Sequence, residues 1–510
     1  MQEEHYSKSR VAKNTIILYL RMMVMIVVSL FTSRIQLRAL GFSDYGIIDV
    51  VGGLAAMISF LQVGMAGAAQ RFLSVDIGRG DLDNLKNTFC TTVLTHRVLA
   101  IVGVVALESL GFWFLNNKLN IPPERLYYAN WVFQSSVIIF ALSILTVPYN
   151  AAIIAREHMG AFAYISIAET IFKLVLAFAL FYSPIDKLIL YSILTVIGQV
   201  AINLIYWKYC KKHFEECTYV FRYDKKLTKE MISFAGWGFV GNMGFSSKDQ
   251  LSNILLNLFF NTTVNAARGI ATRVSTIINS FAQNFSTAMN PQIAKLYAAG
   301  EYEKSRDLVY AASRYAFFLL AMLVVPFLTN EHYILILWLG DIPPYTDSFV
   351  FITLTVALIY SMAHSAATAI LTTGKVRSLQ LGLALILLSE IPIAYVMLKL
   401  GCNPWQAMLP SIFTTMVTVL YRYYLISRYV PIYSFKHFIT HTVIRCLIIY
   451  ALSLSTSLLV RRLFDEGFLY FILTTILSIL IVFLFIWILG LSSEERTQFI
   501  SKAKQYLKKS

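Results

Sequence analysis

Eight polar side chains recur at spacings of three and four late in the middle of the chain: Asn265, Arg268, Thr272, Thr276, Asn279, Gln283, Thr287 and Asn290. On a helix of 3.6 residues per turn they fall on one face from end to end. Arg273 lies beside that stripe. A second series precedes it, Asn242, Ser246, Asp249, Asn253 and Asn257, with Lys248 flanking the same face. Amides and hydroxyls can take over hydrogen bonds from water, and a guanidinium offers paired donors that match a phosphate. Basic groups outnumber acids here, so the chemistry these residues suit is holding an anion, with a diphosphate as the natural candidate.

Other ionisable residues extend or balance this set. Arg21 joins it from the first apolar stretch, together with Asn14. Arg34 and Arg38 sit one helical turn apart near the other end of that stretch, where both can snorkel to an interface. Asp249 and Glu390 are carboxylates suited to a coupling cation, although charge balance for the arginines is the plainer role. Glu108, Glu169, Lys173, His96 and His364 show no metal-ligand or catalytic spacing, so no cofactor and no enzymatic activity are expected.

The elements that carry these side chains are apolar. The chain has 510 residues, 57% of them hydrophobic and 14% charged, with a mean hydropathy of +0.64, whereas a soluble chain is about a quarter charged. Reading apolar runs against the roughly 20 residues a helix needs to cross a bilayer predicts an all-α polytopic membrane protein with about 14 transmembrane helices. The first six lie near 14–37, 46–69, 88–114, 127–147, 160–182 and 186–207. Six more lie near 230–259, 264–289, 309–329, 347–371, 378–399 and 404–426, and a last pair near 441–460 and 468–490. No cleavable leader is expected, since residues 1–10 are polar, 15–31 are already long enough to cross, and no small-residue cleavage site follows. The connections are too short for a soluble catalytic domain.

Charge sets the expected orientation. With the N-terminus inside, the even-numbered connections and the tails collect about 26 Lys/Arg against about 5 in the odd-numbered ones, and both termini are then cytoplasmic. The strongest basic block is Lys208, Lys211, Lys212, Arg222, Lys225, Lys226 and Lys229. This topogenic role accounts for the net charge of +15, and no nucleic-acid partner is expected. Five scattered cysteines fit neither a zinc nor a redox spacing and read as free thiols.

Shifting the sequence by about 220 positions superposes related features. Leu40–Gly46 precedes span two as Phe260–Ala266 precedes span eight, and the turns Gly78–Asp83 and Ala298–Glu303 follow in each. Ala151–Arg156 and Ala369–Gly374 end corresponding helices. The predicted organisation is an N-terminal lobe of six helices (1–210), a basic cytoplasmic linker (211–229), a C-terminal lobe of six (230–430), and a terminal helix pair with a basic tail (431–510). Such parallel repeats usually place the substrate path between the halves. In span two, the residues equivalent to the polar stripe include Gly52, Ala56, Ser59 and Gly67, whose small size leaves volume for cargo.

The runs Leu40-Gly-Phe-Ser-Asp-Tyr-Gly-Ile-Ile-Asp-Val50, Pro148-Tyr-Asn-Ala-Ala-Ile-Ile-Ala155, Val264-Asn-Ala-Ala-Arg-Gly-Ile270 and Asn290-Pro-Gln-Ile-Ala-Lys295 resemble bacterial polysaccharide flippases. These belong to the multidrug/oligosaccharidyl-lipid/polysaccharide exporter superfamily, and the resemblance implies a MATE-like fold. It further implies an inner-membrane carrier that moves undecaprenyl-diphosphate-linked oligosaccharide to the periplasmic leaflet by alternating access, for lipopolysaccharide, capsule or similar polymers. In similar flippases basic residues of a central cavity engage the diphosphate. Here Arg21, Lys248, Arg268 and Arg273, with Arg34 added, are suited to that role, and the amides and hydroxyls of the two stripes would line the cavity. The expected partners are the lipid-linked oligosaccharide, membrane lipid and a coupling cation, and the expected state is a monomer. A lipid II flippase of cell-wall synthesis and a multidrug/cation antiporter of the same superfamily are the alternatives.

Overall fold

A computed structural model describes residues 2–218, 220, 222–465, 467–497 and 501; the side chains of residues 2–19, 237, 287, 288 and 291 lie outside the described set, and with them Asn14 and Thr287 of the polar series, as does most of the basic tail. Helices make up 87% of the chain, with no strand among the described residues, so the all-α expectation holds. In chain order they are α1 (Gln2–Ala56), α2 (Phe60–Arg79), α3 (Leu82–Ala106), α4 (Phe112–Asn117), α5 (Pro123–Ala155), α6 (Met159–Ala179) and α7 (Lys187–His213). There follow α8 (Lys225–Phe259), α9 (Thr262–Ala298), α10 (Tyr302–Thr329), α11 (Glu331–Leu339), α12 (Thr346–Ser361), α13 (His364–Thr372), α14 (Val376–Leu388) and α15 (Glu390–Lys399). The last are α16 (Pro410–Tyr429), α17 (Phe435–Phe438), α18 (Ile444–Arg461) and α19 (Phe468–Phe485).

Ten helical segments among the described residues are long and apolar enough to cross a membrane, from Leu20–Ala56 to Phe468–Gly490. The chain is therefore a multi-pass membrane protein. Length and apolarity alone do not reach the expected fourteen, for a physical reason. Helices α2, α8, α9 and α16 span 20, 35, 37 and 20 residues, enough at about 1.5 Å per residue to cross, but each is too polar to qualify. Two of them, α8 and α9, carry the polar series.

The boundary between the first two expected spans, at 38–45, falls where the helix breaks, but the second span needs correction. Helical structure continues to Ala56, interrupted at Gly41, whose φ of 77° and ψ of 173° leave the helical region. A positive φ of this kind is open to glycine and strained for a residue with a Cβ. The second break falls at Met57–Ser59, and α2 then runs ten residues beyond the expected end of span two, to Arg79.

The chain divides into two compact units. One comprises residues 1–269 with 394–404, and the other 270–393 with 405–510. The core of the first is built from Ile47, Val50, Leu54, Phe133 and Phe140, and from Met65, Leu73, Phe89, Tyr206 and Met231. In the second, Phe317, Phe349, Tyr423, Tyr433 and Phe438 are fully buried. Buried Arg422 there donates to the Ala363 carbonyl at 2.8 Å and to the Tyr360 hydroxyl at 2.8 Å, satisfying the backbone where α12 gives way to α13.

Both halves of the sequence repeat the same backbone devices. Gly80 and Gly300 end α2 and α9 with φ of 71° and 75°, and the next helices begin at Leu82 and Tyr302, each pair offset by 220 positions. Glu157 and Gly374 also share a positive φ, 57° and 75°, and are followed by the spans Met159–Tyr182 and Val376–Lys399, both offset by 217. The left-handed cap lets the carbonyls of a helix end find donors before the chain turns, as the Gly80 amide does on Ile77.

Within the first unit a charged clasp joins three helices. Arg125 in the first turn of α5 donates to both oxygens of Asp44 on α1 and, at 2.7 Å through Nη1, to Asp186. Asp186 also caps α7 through the Leu188 amide at 2.9 Å. All five cysteines are free thiols, four of them buried.

Candidate functional site

The polar residues of α8 and α9 in the first unit meet because only Phe260 and Asn261 separate the two helices. Asn253 and Asn257 stand one turn apart on α8, and Asn265 faces them from the first turns of α9. The Asn265 amide donates to the Asn253 carbonyl at 2.7 Å and to its side-chain oxygen at 2.8 Å. Asn257 donates to Asn265 Oδ1 at 3.0 Å and accepts the Asn120 amide at 2.7 Å. Asn253 Nδ2 reaches Asp49 Oδ2 at 2.8 Å. All three asparagines are at most 1% exposed, so their amides are spent on tying helices together. Each bond contributes about 0.5–1.5 kcal/mol net, and a buried partner left unpaired costs about 1–3 kcal/mol.

One turn beyond Asn265 stands Arg268, 9% exposed, with Nη2 at 3.7 Å from Asp249 Oδ1. That separation exceeds the roughly 2.7–2.9 Å of a direct guanidinium–carboxylate hydrogen bond, so Asp249, half exposed, orients the guanidinium without saturating it. Lys248, on the neighbouring position of α8, is equally buried. Asp49 completes the local charge set. It comes from α1 and lies so close to the Gly269 backbone that a methyl group there would collide with its carboxylate. The sequence reading passed over Asp49, although the quoted Leu40–Val50 run contains it.

The remaining expected site residues are distributed more widely. Arg21 docks on α6, its Nη1 donating to Ser166 at 3.3 Å and its Cζ lying 4.5 Å from the Phe162 ring centroid. Arg34, Asn242 and Ser246 are half-buried. In the second unit, Arg273, Thr272 and Asn279 are half-buried on α9, whereas Thr276 and Gln283 are exposed. Asn279 donates to Ser275 at 3.4 Å. Glu390 is 1% exposed and accepts the Thr414 hydroxyl at 3.0 Å. The structure thus gathers Lys248, Asp249, Asn253, Asn257, Asn265 and Arg268 in one unit, with Arg21 set on another helix pair of that unit.

Three of the four small residues expected to leave volume border a cavity. Gly52, Ala56 and Ser59 line a cavity of about 220 Å³ together with Gln62, Ser136, Phe140 and Ser143. Gly67 is not part of its wall. Gln62 and Ser143 exchange long hydrogen bonds of 3.4 Å across it.

This architecture has close counterparts among solved structures. A lipid II flippase MurJ in an inward closed conformation superposes with a TM-score of 0.70 at 13% identity, covering 94% of this chain and 98% of that one. An inward-facing multidrug resistance MATE family transporter of the MOP superfamily gives 0.65 at 13% identity, covering 82% and 98%. A Vibrio cholerae MATE transporter, VcmN, gives 0.51 at 14% identity, covering 83% and 99%. No protein-family model and no curated protein matches the sequence. The chain therefore has a MATE/MurJ-like fold.

Proposed function

We propose that the protein is an inner-membrane flippase that moves undecaprenyl-diphosphate-linked oligosaccharide units to the periplasmic leaflet by alternating access, with both termini cytoplasmic. The observation that carries this reading is the buried pair of cations, Lys248 and Arg268, each 9% exposed, on the polar helices of a MATE/MurJ-like fold. Charge held at such a depth is costly and marks functional positions. A guanidinium oriented by one carboxylate at 3.7 Å keeps donors for a phosphate oxygen. Arg21, Arg273 and Arg34 extend the diphosphate site in this reading. Thr272, Thr276, Asn279 and Gln283 supply hydrogen bonds for sugar hydroxyls, and Asp249 and Glu390 balance charge or hold a coupling cation. The two lobes are those of residues 1–210 and 230–430.

A second reading, a lipid II flippase of cell-wall synthesis, is favoured by the reach of one comparison. The match to MurJ covers 94% of this chain, whereas the two MATE comparisons cover 82% and 83%. Both cargoes share a prenyl diphosphate, so the same basic residues would serve either. The decisive experiment depletes the protein and measures, leaflet by leaflet, the exposure of lipid-linked oligosaccharide and of lipid II. Loss of outward exposure of the first alone supports the main reading, and loss of the second alone transfers it to lipid II. Unchanged exposure of both overturns flippase function.

A further inference from the structure

The first unit contains another cleft, of about 360 Å³, at the turn between α2 and α3 and the start of α8. Its volume is within the roughly 300–1,000 Å³ of small-molecule sites. Arg71, Arg79 and Lys226 line it with Asp76, Asp224 and Glu230, and Asn87 adds a neutral polar group. Counted by formal charge the lining is neutral, but the hydrogen bonds divide it unequally.

Two of the three carboxylates are committed to the fold. Asp76, 8% exposed, accepts the Thr88 hydroxyl at 2.6 Å and lies 3.7 Å from Arg79. Asp224 caps α8, accepting the Lys226 and Leu227 amides at 2.8 and 3.0 Å. Arg71 is held by an aromatic face, its Cζ 4.3 Å from the Phe234 ring centroid. Among the described residues, neither Arg71 nor Lys226 has a carboxylate oxygen within 4.0 Å. With Arg79 paired to Asp76 and the first amides of α8 taken by Asp224, the cleft presents the Arg71 guanidinium and the Lys226 ammonium beside Arg79, with Glu230 the one lining carboxylate that no hydrogen bond or ion pair engages among the described residues. Such a set favours a multiply charged anion.

The internal repeat shows that the turn itself does not require these cations. Gly80 and Gly300 keep the same left-handed backbone, yet the residues 220 positions after Arg71 and Arg79 are Pro291 and Ala299. A generic excess of positive charge in cytoplasmic connections would account for Arg79 and Lys226 separately. It does not account for their convergence with Arg71 on one hollow.

We propose that this cleft is a docking site for a diphosphate-bearing headgroup at the cytoplasmic surface, separate from Lys248 and Arg268. The assignment of its side of the membrane rests on the orientation adopted under the proposed function. A prenyl-linked diphosphate and a soluble diphosphate compound present the same chemistry to the three cations, so the test must separate them.

The full chain in detergent is titrated with farnesyl diphosphate and with inorganic diphosphate, followed by thermal shift and native mass spectrometry. Expected is saturable binding of farnesyl diphosphate, displaced by inorganic diphosphate. Read in an Arg268→Gln background, so that the site at Lys248 and Arg268 contributes least, binding weakens about tenfold or more in Arg71→Gln/Arg79→Gln/Lys226→Gln and is restored largely by Arg71→Lys/Arg79→Lys/Lys226→Arg. If the triple variant is not folded, the exposed single change Lys226→Gln is read instead, with a weakening of about threefold expected. Equal affinity of the two ligands overturns the headgroup assignment in favour of a soluble compound. No binding in that background, or binding unaffected by the cleft variants, overturns the site. Leaflet exposure of the lipid-linked cargo is measured separately, so a cleft that binds in a protein that does not flip would refute the proposed function and leave the cleft standing.

Discussion

Helix α9 and its repeat counterpart, the limb from Phe42 to Ala56 followed by α2, occupy corresponding stretches of the two halves but differ in continuity. Helix α9 is helical for 37 residues. The counterpart breaks at Met57–Ser59, where Ile58 and Ser59 donate to Ala55 and Ala56 at 3.3 and 3.1 Å, three residues back instead of four. The Ser59 hydroxyl takes the Ala56 carbonyl as well, at 2.7 Å. Where α9 carries Arg268, Thr272, Thr276 and Asn279, the counterpart has Ile48, Gly52, Ala56 and Ser59. One copy projects donors; the other withdraws its side chains and leaves a cavity of about 220 Å³. A duplicated scaffold has thus been specialised on equivalent faces, keeping the caps and changing what the faces present.

The sharpest challenge to this contrast is Arg268→Gln. Outward exposure of lipid-linked sugar is expected to fall about tenfold to a hundredfold with normal membrane insertion, because a charge-assisted interaction is removed. Gly52→Leu, which fills the cavity of the other copy, should give a smaller loss in the same assay; no change there would separate the cavity from transport. Asn265→Leu should lower stability by about 1–3 kcal/mol, since Asn257 loses an acceptor in a dry network, and thermal unfolding in detergent would show it. Gly80→Ala and Gly300→Ala should each cost about 1–2 kcal/mol through the left-handed backbone. Unequal shifts in the unfolding temperature would argue that the two turns are not equivalent.

The weakest expected effect concerns Glu331, whose counterpart 220 positions earlier is Gly111. Burial, with Asp347 nearby, pushes the Glu331 carboxyl up to about 8 from its ordinary 4.5. The folded state therefore binds the proton more tightly than the unfolded one, and this group's contribution to stability declines as pH rises from about 4.5 to about 8. Glu331→Gln should flatten that decline and raise the unfolding temperature most above pH 8. A variant with the parent's pH profile would refute the assignment.

Much of the helical layout was legible because burial and lipid exposure write a long apolar run directly into the chain. The helices from Leu82 to Gly490 enclose the expected spans almost throughout. The break at Gly41 was legible, since polar residues on either side of it separate the first two expected spans, whereas the break at Met57–Ser59 does not interrupt hydrophobicity. The stripe of α9 was visible by its period, but the period does not say which amides are spent internally. Asn253, Asn257 and Asn265 bond to one another, a fact set by the tight α8–α9 connection. Arg422 and Asp49 escaped notice because their partners are a carbonyl at a helix break and an asparagine 204 positions away.

The clasp around Arg125 also has a consequence for biogenesis. Its carboxylates come from Asp44, made long before it, and from Asp186, made 61 residues after it. A nascent chain arrested before α7 would hold the arginine with half its counter-charge and without the cap that Asp186 provides. Closure of this three-way joint therefore reports that the early hairpins have been threaded in the correct order, and a ribosome-bound intermediate lacking Asp186 should be the form most open to quality-control proteolysis.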